Sequence, residues 1–271
     1  MMNTGGLLVS VLMGTYYRSE DTTALQRSVT SILEQSYRRI EFLICDDGSS
    51  PEAIRYLDHV AAKDSRILLV RPGDAFSLPQ KLNRCLREAK GTYIARMDDD
   101  DASHPNRLEE QVAYLERNRE ISFAGCNVAL YRNREYAGMW RFPEFPAVQD
   151  FFFRQPFVHP TLLFRRTALE SVGGYSEDQH CVLCEDYDLL LRLYAAGFQG
   201  ANLQENLFDY SLPMTAKGGR KMRHRWNEAV TRYRRFRELN VLHAAWPYVV
   251  KPILVGLIPG RILQKIKERD R

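Results

Sequence analysis

The chain has 271 residues, of which 45% are hydrophobic and 27% charged, and its formal net charge is +4. These values are typical of a soluble globular protein that forms its core without disulfide bonds. No window of about 18 residues is purely apolar, and residues 1–6 lack the basic start of a signal peptide. A membrane-spanning helix and secretion are therefore both disfavoured, and we expect a cytoplasmic protein.

The charge is unevenly distributed along the chain. Residues 217–271 carry 15 Lys and Arg against four Asp and Glu, whereas residues 1–216 carry 23 against 30. The C-terminal segment is thus about +11 and the remainder about −7. This asymmetry predicts that the basic segment meets an anionic partner, such as lipid headgroups, nucleic acid or a phosphorylated acceptor.

Apolar runs and amphipathic segments alternate through the first hundred residues, which predicts strands alternating with helices. The first helix begins near Thr22, and Ser50 with Pro51 begins the second. The predicted strands are Leu7–Met13, Ile40–Cys45, Arg66–Val70 and Thr92–Met97. This alternation predicts an α/β fold with a mostly parallel central sheet flanked by helices.

The second half is less regular. Further strands are predicted at Ile121–Tyr131, Thr161–Phe164 and Leu207–Tyr210. Helices are predicted after Pro105, at Asp186–Ala196 and from Met222 to Leu239, while residues 150–153 fit either state. We divide the chain into a body of residues 1–216 (halves 1–101 and 102–216) and a basic, amphipathic helical tail of residues 217–271.

Acidic clusters follow two of the predicted parallel strands. Four consecutive aspartates, residues 98–101, repel one another unless a cation compensates them. Asp98 and Asp100, separated by one residue, have the spacing to share a hard cation such as Mg²⁺ or Mn²⁺, which keeps substrate phosphates among its ligands. A solvated acidic loop is the alternative, and the second acidic strand end argues against it.

That second strand end is Asp46-Asp47-Gly48-Ser49, which alone is an ordinary turn sequence. Thr15 and Tyr16 end the neighbouring first strand, and ligands of such sheets bind beyond the carboxyl ends of the strands. Tyr16 could therefore stack on a base, and Asp47 could accept hydrogen bonds from a base or ribose.

Taken in order, these motifs resemble family 2 glycosyltransferases, which are inverting enzymes with the GT-A fold. The resemblance covers roughly residues 7–210. It rests on Val9–Tyr16, Ser31–Tyr37, Cys45–Ser49, Gly91–Asp101 and His104–Leu108.

The resemblance implies specific roles. Thr15, Tyr16, Asp47, Asn83, Asp98 and Asp99 would bind the donor, a UDP-sugar by preference. Asp98 and Asp100 would hold Mn²⁺ or Mg²⁺. His159, Gly173, Gly174 and Glu185 would lie on the acceptor side, for a saccharide or lipid-linked saccharide. Asp186, in Glu185-Asp186-Tyr187-Asp188-Leu189, would be the catalytic base. Without the resemblance, Asp186 is simply a favourable charge at a helix N-terminus.

The chain departs from the family pattern in two places. Tyr17 stands where relatives often have Asn. Ser211-Leu212-Pro213 stands where they commonly have Tyr-Arg and a nearby His, so Lys217, Arg220 or His224 would have to supply a third metal or phosphate contact.

Several alternatives stay open. A nucleotidyltransferase also uses paired acids, although no glycine-rich basic phosphate loop occurs near the N-terminus. A non-catalytic sugar-nucleotide-binding protein is another. Nucleic-acid binding through the basic tail is disfavoured by the acidic body. The tail could instead pack on the body, or lie on a membrane surface with Trp246 and Tyr248 at the interface. The lone Cys181-x-x-Cys184 pattern favours a structural role.

Overall fold

The fold is described from a computed structural model that covers residues 6–71, 73, 77–213 and 221–257. The strands are β1 Val9–Thr15, β2 Ile40–Asp46, β3 Ile67–Val70, β4 Tyr93–Arg96, β5 Ala102–Ser103, β6 Ile121–Arg132, β7 Glu135–Trp140, β8 Leu163–Arg165 and β9 Gln199–Ser211. The helices are α1 Thr23–Leu33, α2 Pro51–Lys63, α3 Leu78–Glu88, α4 Arg107–Arg117, α5 Asp150–Phe153, α6 Arg166–Ser171, α7 Glu185–Ala195, α8 Met222–Glu238 and α9 Leu242–Leu257.

The first half forms the predicted parallel sheet, in the order β3-β2-β1-β4. Its helices begin where the sequence indicated. The Ser50 side chain accepts a hydrogen bond from the Ala53 amide at 3.3 Å, and Pro51 opens α2. Thr15 is the register partner of Asp46, so both strand ends lie at one edge of the sheet.

The sheet continues as β8-β6-β9-β5, with β7 paired to β6. Here β8 runs antiparallel to both β4 and β6, whereas β9 is parallel to β6. The strand predicted at Thr161–Phe164 begins later than expected, because residues 159–161 form a single 3₁₀ turn before β8. The undecided residues 150–153 are helical.

Two hydrophobic clusters cover the faces of this sheet. Residues from α1, α2 and α4 join one cluster, including Val29, Leu57 and Val112. Residues from α3, α6 and α7 join the other, including Leu82 and Leu190.

The C-terminal helices share the second cluster. Phe236 of α8 and Ala245 and Val249 of α9 are at most 5% exposed and belong to the same buried group as α7. Helix α9 continues through Pro247 and Pro252 and has 16 residues. Within residues 6–257, leaving out the undescribed gaps, no helix is long and apolar enough to cross a membrane. Separation of 217–271 as a domain of its own stays a prediction.

Candidate active site

A buried lysine side chain connects the ends of three strands. The Lys81 ammonium of α3 donates to the Thr15 carbonyl at 2.8 Å and lies 2.5 Å from the Asp47 carboxylate. Both charged side chains are at most 6% exposed, and the Thr15 hydroxyl donates to Asp99. Lys81 thus joins the ends of β1 and β2, and Thr15 joins them to the acidic loop that follows β4. The sequence analysis did not assign Lys81 to the site.

The predicted nucleoside contacts lie beside this junction. The Tyr16 side chain is 54% exposed, and the Arg18 guanidinium carbon and Lys81 ammonium lie 5.2 and 5.5 Å from its ring centroid. In the following turn, the Ser49 amide donates to Asp46 at 3.0 Å, with Gly48 at a φ of +112°. Asp46 therefore shapes the turn, while an exposed aromatic ring stands next to Asp47 and its lysine.

A buried arginine binds the first carboxylate of the acidic loop after β4. Arg96 is 1% exposed, and its guanidinium is hydrogen-bonded and ion-paired to Asp98. The Asp98 side chain remains 31% exposed. A buried guanidinium fixes a carboxylate firmly because its donors form a planar fork. Arg96, which the sequence analysis did not select, thus orients the first predicted metal ligand.

The other side of the acidic loop is tied to the end of β9. Ser211 donates its amide to Asp101 at 2.7 Å and its hydroxyl to the Asp100 carbonyl at 2.5 Å. Arg27 of α1 also donates to the Asp100 carbonyl, at 3.1 Å. Ser211, at the point where the chain departs from the family pattern, therefore contacts the loop directly. Lys217 and Arg220 lie outside the described residues.

Burial and the neighbouring negative charges raise the pKa values of three carboxylates in the loop, Asp99, Asp100 and Asp101. Desolvation, with the negative charges of Asp98 and Asp99, raises the pKa of Asp100 to about 7. Desolvation also raises the pKa of Asp99 and raises that of Asp101 well above its ordinary value. A cation would relieve this repulsion.

The residues fit a metal that completes its shell with phosphate. Across the described part of the chain, no group of three or more His, Cys, Asp and Glu could hold a metal ion by itself. Mg²⁺ characteristically takes only one or two carboxylates and fills its remaining positions with water and substrate phosphates. Asp98 and Asp100 would provide that pair.

Residues predicted on the acceptor side form a hydrogen-bonded unit. His159 accepts from or donates to the Tyr175 hydroxyl at 2.9 Å, and burial lowers its pKa well below the ordinary value, so the ring is neutral. The Asn83 amide donates to the Tyr175 carbonyl at 2.8 Å and accepts from the Tyr175 amide at 2.9 Å. Gly173 and Gly174 have φ values of +75° and +70°, which glycine tolerates at no steric cost.

This arrangement leaves two assignments as predictions. A Cβ on Gly174 would approach the Asn83 carboxamide oxygen within 2.8 Å, so Asn83 packs directly beneath the glycine turn. Its hydrogen bonds go to Tyr175 and Glu177, and its contact with the donor stays a prediction. Neither glycine lines the cavity described below.

Asp186 lies in the first turn of α7. Its carboxylate accepts from the Gln155 side chain at 3.0 Å and from the Tyr187 amide at 2.8 Å. Glu185 is adjacent, and desolvation together with the charge of Asp186 raises the pKa of Glu185 to about 7. Asp188 is 1% exposed and forms ion pairs with Arg192 at 2.8 Å and Arg235 at 2.7 Å. Its surroundings are those of a structural residue, which leaves Glu185 as the alternative base.

One cavity of about 450 Å³ connects the acidic loop with the start of α7. Asp98 contributes to its lining at one strand end, and Glu185 and Asp186 contribute from α7. Its other lining residues are Leu78, Trp140, Phe142, Arg154, Gln155, Phe157, Val158, His159, Pro160 and Tyr210. The structure thus brings Asp98, one of the two predicted metal ligands, and the predicted base to a single space, whereas Asp100 is not part of its lining.

The raised pKa of Glu185 gives a stability prediction. An ordinary glutamate titrates near pH 4.3 when unfolded, so the native protein holds this proton more tightly. The stability from the protonated carboxyl is fully present below about pH 4.3 and is lost as pH rises through about 7. Glu185→Gln, which is always neutral, should therefore raise the melting temperature at pH 8 by a few degrees and change it little at pH 5.

Thermal unfolding of the metal-free protein measures this effect. The exposed Glu135→Gln is the matched control and should show no pH-dependent difference. An equal effect of Glu185→Gln at both pH values would contradict the raised pKa.

The five cysteines, all within the described residues, are free and buried. Cys184 lies 3.4 Å from the Thr231 hydroxyl and donates to the His180 carbonyl at 3.5 Å. Burial raises the pKa of Cys184 to about 12, so its thiol is not a reactive thiolate. These contacts agree with the structural role expected of the Cys181-x-x-Cys184 pattern.

Comparisons with known proteins identify the class. Residues 10–173 match the sequence model of glycosyl transferase family 2, and residues 93–266 match that of glycosyl transferase family group 2. The fold resembles TarS of S. aureus in complex with UDP-GlcNAc, with a TM-score of 0.69, 14% identity, and 90% of this chain and 73% of that chain covered. It also resembles the mannosyltransferase PcManGT of Pyrobaculum calidifontis, in complex with GDP-Man and Mn²⁺, with a TM-score of 0.62, 18% identity, and coverage of 96% and 79%. The GT-A fold expected from the motifs is confirmed.

Sequence relatives give the same answer over the whole chain. EpsE of Bacillus subtilis, described as a glycosyltransferase, is 34% identical over 99% of this chain and 95% of its own length. The amylovoran biosynthesis glycosyltransferase AmsE of Erwinia amylovora is 26% identical over 97% of this chain and 99% of its own length. The chain belongs to glycosyl transferase family 2.

Proposed function

We propose that the protein transfers a sugar from a nucleotide-diphosphate sugar to an acceptor hydroxyl, with inversion and with a divalent metal. The observation that supports this most strongly is the single cavity lined by both Asp98 and Asp186. An inverting transfer is one in-line displacement, so a base for the acceptor and a stabilising group for the leaving diphosphate must face the same reacting carbon.

The residues divide the reaction between them. Asp186 accepts the proton of the acceptor hydroxyl as its oxygen bonds to the anomeric carbon, and the bond from that carbon to the diphosphate oxygen breaks. Gln155 and the Tyr187 amide hold the Asp186 carboxylate in place for this step. Asp98 and Asp100 would hold Mn²⁺ or Mg²⁺, which would supply positive charge to the departing nucleoside diphosphate.

The nucleoside end of the donor fits beside the strand-end junction. The exposed ring of Tyr16 offers a stacking surface. Next to it, Lys81 binds both the Asp47 carboxylate and the Thr15 carbonyl. A UDP-sugar is the favoured donor, since TarS binds UDP-GlcNAc, while the GDP-Man complex of PcManGT makes GDP-sugars the first alternative.

Product analysis tests the reaction class. Incubation with a panel of UDP- and GDP-sugars and Mn²⁺ should release nucleoside diphosphate from at least one donor. Release of pyrophosphate instead would indicate nucleotidyl transfer. Binding of a donor with no release of either product would indicate a non-catalytic sugar-nucleotide-binding protein.

The acceptor belongs to cell-surface polysaccharide or lipopolysaccharide synthesis in this proposal, as a saccharide or lipid-linked saccharide. One relative, the Escherichia coli protein WfaP, is described as a glucosyltransferase acting on GlcNAc-diphosphoundecaprenol, and is 27% identical over 74% of this chain. A lipid-linked acceptor would bring the enzyme to the cytoplasmic face of a membrane.

The outer face of helices α8 and α9 is suited to such a surface. Six of its large hydrophobic side chains are between 40% and 69% exposed: Met222, Trp226, Tyr233, Trp246, Leu254 and Leu257. The rings of Tyr233 and Trp246 lie 6.5 Å apart, and Arg223 and Arg237 are exposed on α8. Aromatic side chains beside basic residues are typical of a helix that lies on anionic lipid.

Liposome flotation tests this membrane contact. The full chain should float with anionic vesicles at low salt. High salt should release it, because each basic residue contributes at most about 1 kcal/mol to binding and salt screens that attraction. Trp226→Ser combined with Trp246→Ser should reduce flotation, whereas Tyr136→Ser, at a similarly exposed position of 62%, should not. Failure of the full chain to float at low salt would contradict the proposal. Point variants are preferable to removing α9, which contributes Ala245 and Val249 to the core.

A further inference from the structure

A second cavity, of about 280 Å³, lies beside the first. Arg154, Gln155 and Asp186 line both cavities. The remaining lining residues of the second cavity are Phe153, Leu183, Cys184, Tyr187, Glu228 and Arg232. We propose that this second cavity is the subsite for the sugar residue of the acceptor, an inference that rests on the proposed transfer reaction.

The position of Asp186 supports this division. The first cavity contains Asp98, beside which the donor diphosphate would lie, and also His159 and Glu185, which were predicted on the acceptor side, so the reacting ends of both substrates would meet there. The second cavity does not contain Asp98 but does contain Asp186. A base that serves an in-line displacement must reach the acceptor hydroxyl while the donor occupies the opposite side of the reacting carbon. Two adjacent cavities that share Asp186 satisfy both requirements.

The lining has the chemistry of a saccharide site. Phe153 is 64% exposed, with the Lys251 ammonium over its ring at 3.2 Å from the centroid, and an exposed aromatic ring can contact the C–H face of a pyranose. Glu228, Gln155 and Arg154 offer hydrogen-bonding groups for hydroxyls. The volume falls just below the roughly 300–1,000 Å³ of sites for drug-sized ligands, which suits a single sugar ring.

Helix α8 holds one wall of this cavity rigidly. Arg232 is 4% exposed, lies 3.0 Å from Glu228 and donates to the Phe152 carbonyl at 2.7 Å. Its guanidinium carbon lies 4.7 Å from the centroid of the Tyr187 ring. Glu228 is therefore presented on a fixed helix, in the manner that precise binding requires. The sequence analysis placed both residues in the tail, apart from the catalytic body.

The opposite rim carries backbone strain. Leu183 has a φ of +64°, a conformation that costs a residue with a branched side chain about 1–2 kcal/mol. Strained residues of this kind cluster at active and ligand-binding sites. Leu183 is 50% exposed and stands two residues before α7, whose first turn contains Asp186.

Saturation-transfer NMR on the full chain tests the subsite with defined probes. Each sample contains UDP, Mg²⁺ and one methyl glycoside of glucose, galactose or N-acetylglucosamine. At least one glycoside should receive saturation from the parental protein. Glu228→Gln and Phe153→Ser should each weaken its binding by about tenfold or more, as expected for loss of a charged hydrogen bond or a stacked ring.

Matched controls separate this effect from a loss of fold. Glu238→Gln removes another α8 glutamate that pairs with an arginine, and Phe145→Ser removes a phenylalanine that is 61% exposed. Both controls should bind the glycoside as the parental protein does. UDP signals should be equal in all variants, since they report the donor side alone.

The possible outcomes are distinct. Absence of saturation on every glycoside, or glycoside binding that survives both cavity variants unchanged, would overturn the subsite. Variant-sensitive glycoside binding without any UDP signal would support the subsite while contradicting the proposed donor site. Loss of UDP signals together with glycoside signals in a cavity variant would overturn a role confined to the acceptor.

Discussion

Asp186→Asn should lower the rate of sugar transfer by about 10²–10⁴-fold, the usual cost of removing a general base. The asparagine keeps the size of the side chain, and its single carboxamide oxygen can still accept from the Tyr187 amide, while its NH₂ group replaces the oxygen that accepts from Gln155, so the start of α7 should keep its structure. Donor affinity should be nearly unchanged, because the base interacts with the acceptor proton. Steady-state kinetics together with calorimetric titration of the nucleotide-sugar would measure both effects.

The matched control for this experiment is Asp58→Asn, since Asp58 is exposed and pairs only with Arg71 among its ion pairs in the described chain. It should leave the rate unaltered. If Asp186→Asn transfers sugar at the parental rate, Asp186 is not the base. Glu185, which lines the same cavity, then becomes the candidate.

Removal of the metal should have an effect of similar size. Chelation should abolish transfer, and Mn²⁺ or Mg²⁺ should restore it. Asp98→Asn and Asp100→Ala should each lower turnover by about 10²-fold or more, because a catalytic metal contributes several kcal/mol to the stabilisation of charge in the transition state. The measurement is the initial rate against metal concentration for each variant, with circular dichroism to confirm folding.

The choice of substitution matters more at Asp98 than at Asp100, because a buried arginine binds Asp98. Asp98 is oriented by the buried Arg96, so Asp98→Asn keeps a hydrogen-bond acceptor for that guanidinium, whereas Asp98→Ala would remove the acceptor together with the charge. The asparagine variant is thus the cleaner test of metal binding. Full activity in excess chelator would contradict the metal assignment for both residues.

The parallel half of the fold was predictable because β1, β2 and β3 are short apolar runs that are each followed by a polar segment and an amphipathic helix. Ser50 with Pro51 is the clearest case, since a side-chain cap and a proline both specify a helix start. The β6–β7 hairpin was missed. Its turn places Asn133 and Arg134 at φ values of +52° and +66°, and an arginine there gives none of the usual glycine signal for such a turn.

The carboxylates of the site were predictable, but the cations that hold them were not. Lys81 lies on the buried face of α3, together with Leu78, Leu82 and Cys85. A lysine on a buried helix face requires an anionic partner. The position of Lys81 therefore indicated a buried ion pair, which the structure shows to be with Asp47. Which anion it meets depends on how strands and helices pack, and periodicity alone does not contain that information.

Net charge misled the interpretation of the C-terminal segment in part. Arg232, Arg234 and Arg235 form ion pairs with Glu228, Asp178 and Asp188. Those arginines pair with carboxylates of the protein itself. A count of charges along the chain therefore overstates the positive charge that is available to a membrane. The prediction of membrane contact now depends on the exposed hydrophobic face of α8 and α9 instead.

The most direct test of the central claim is a crystal structure of the protein with UDP and Mn²⁺. We predict that Asp98 and Asp100 both bind the metal, that the diphosphate lies in the cavity that extends to Asp186, and that the uracil packs against Tyr16. A nucleotide bound elsewhere, or a diphosphate held without metal and without contact to the acidic loop, would contradict the proposal that one cavity joins the metal motif to the base.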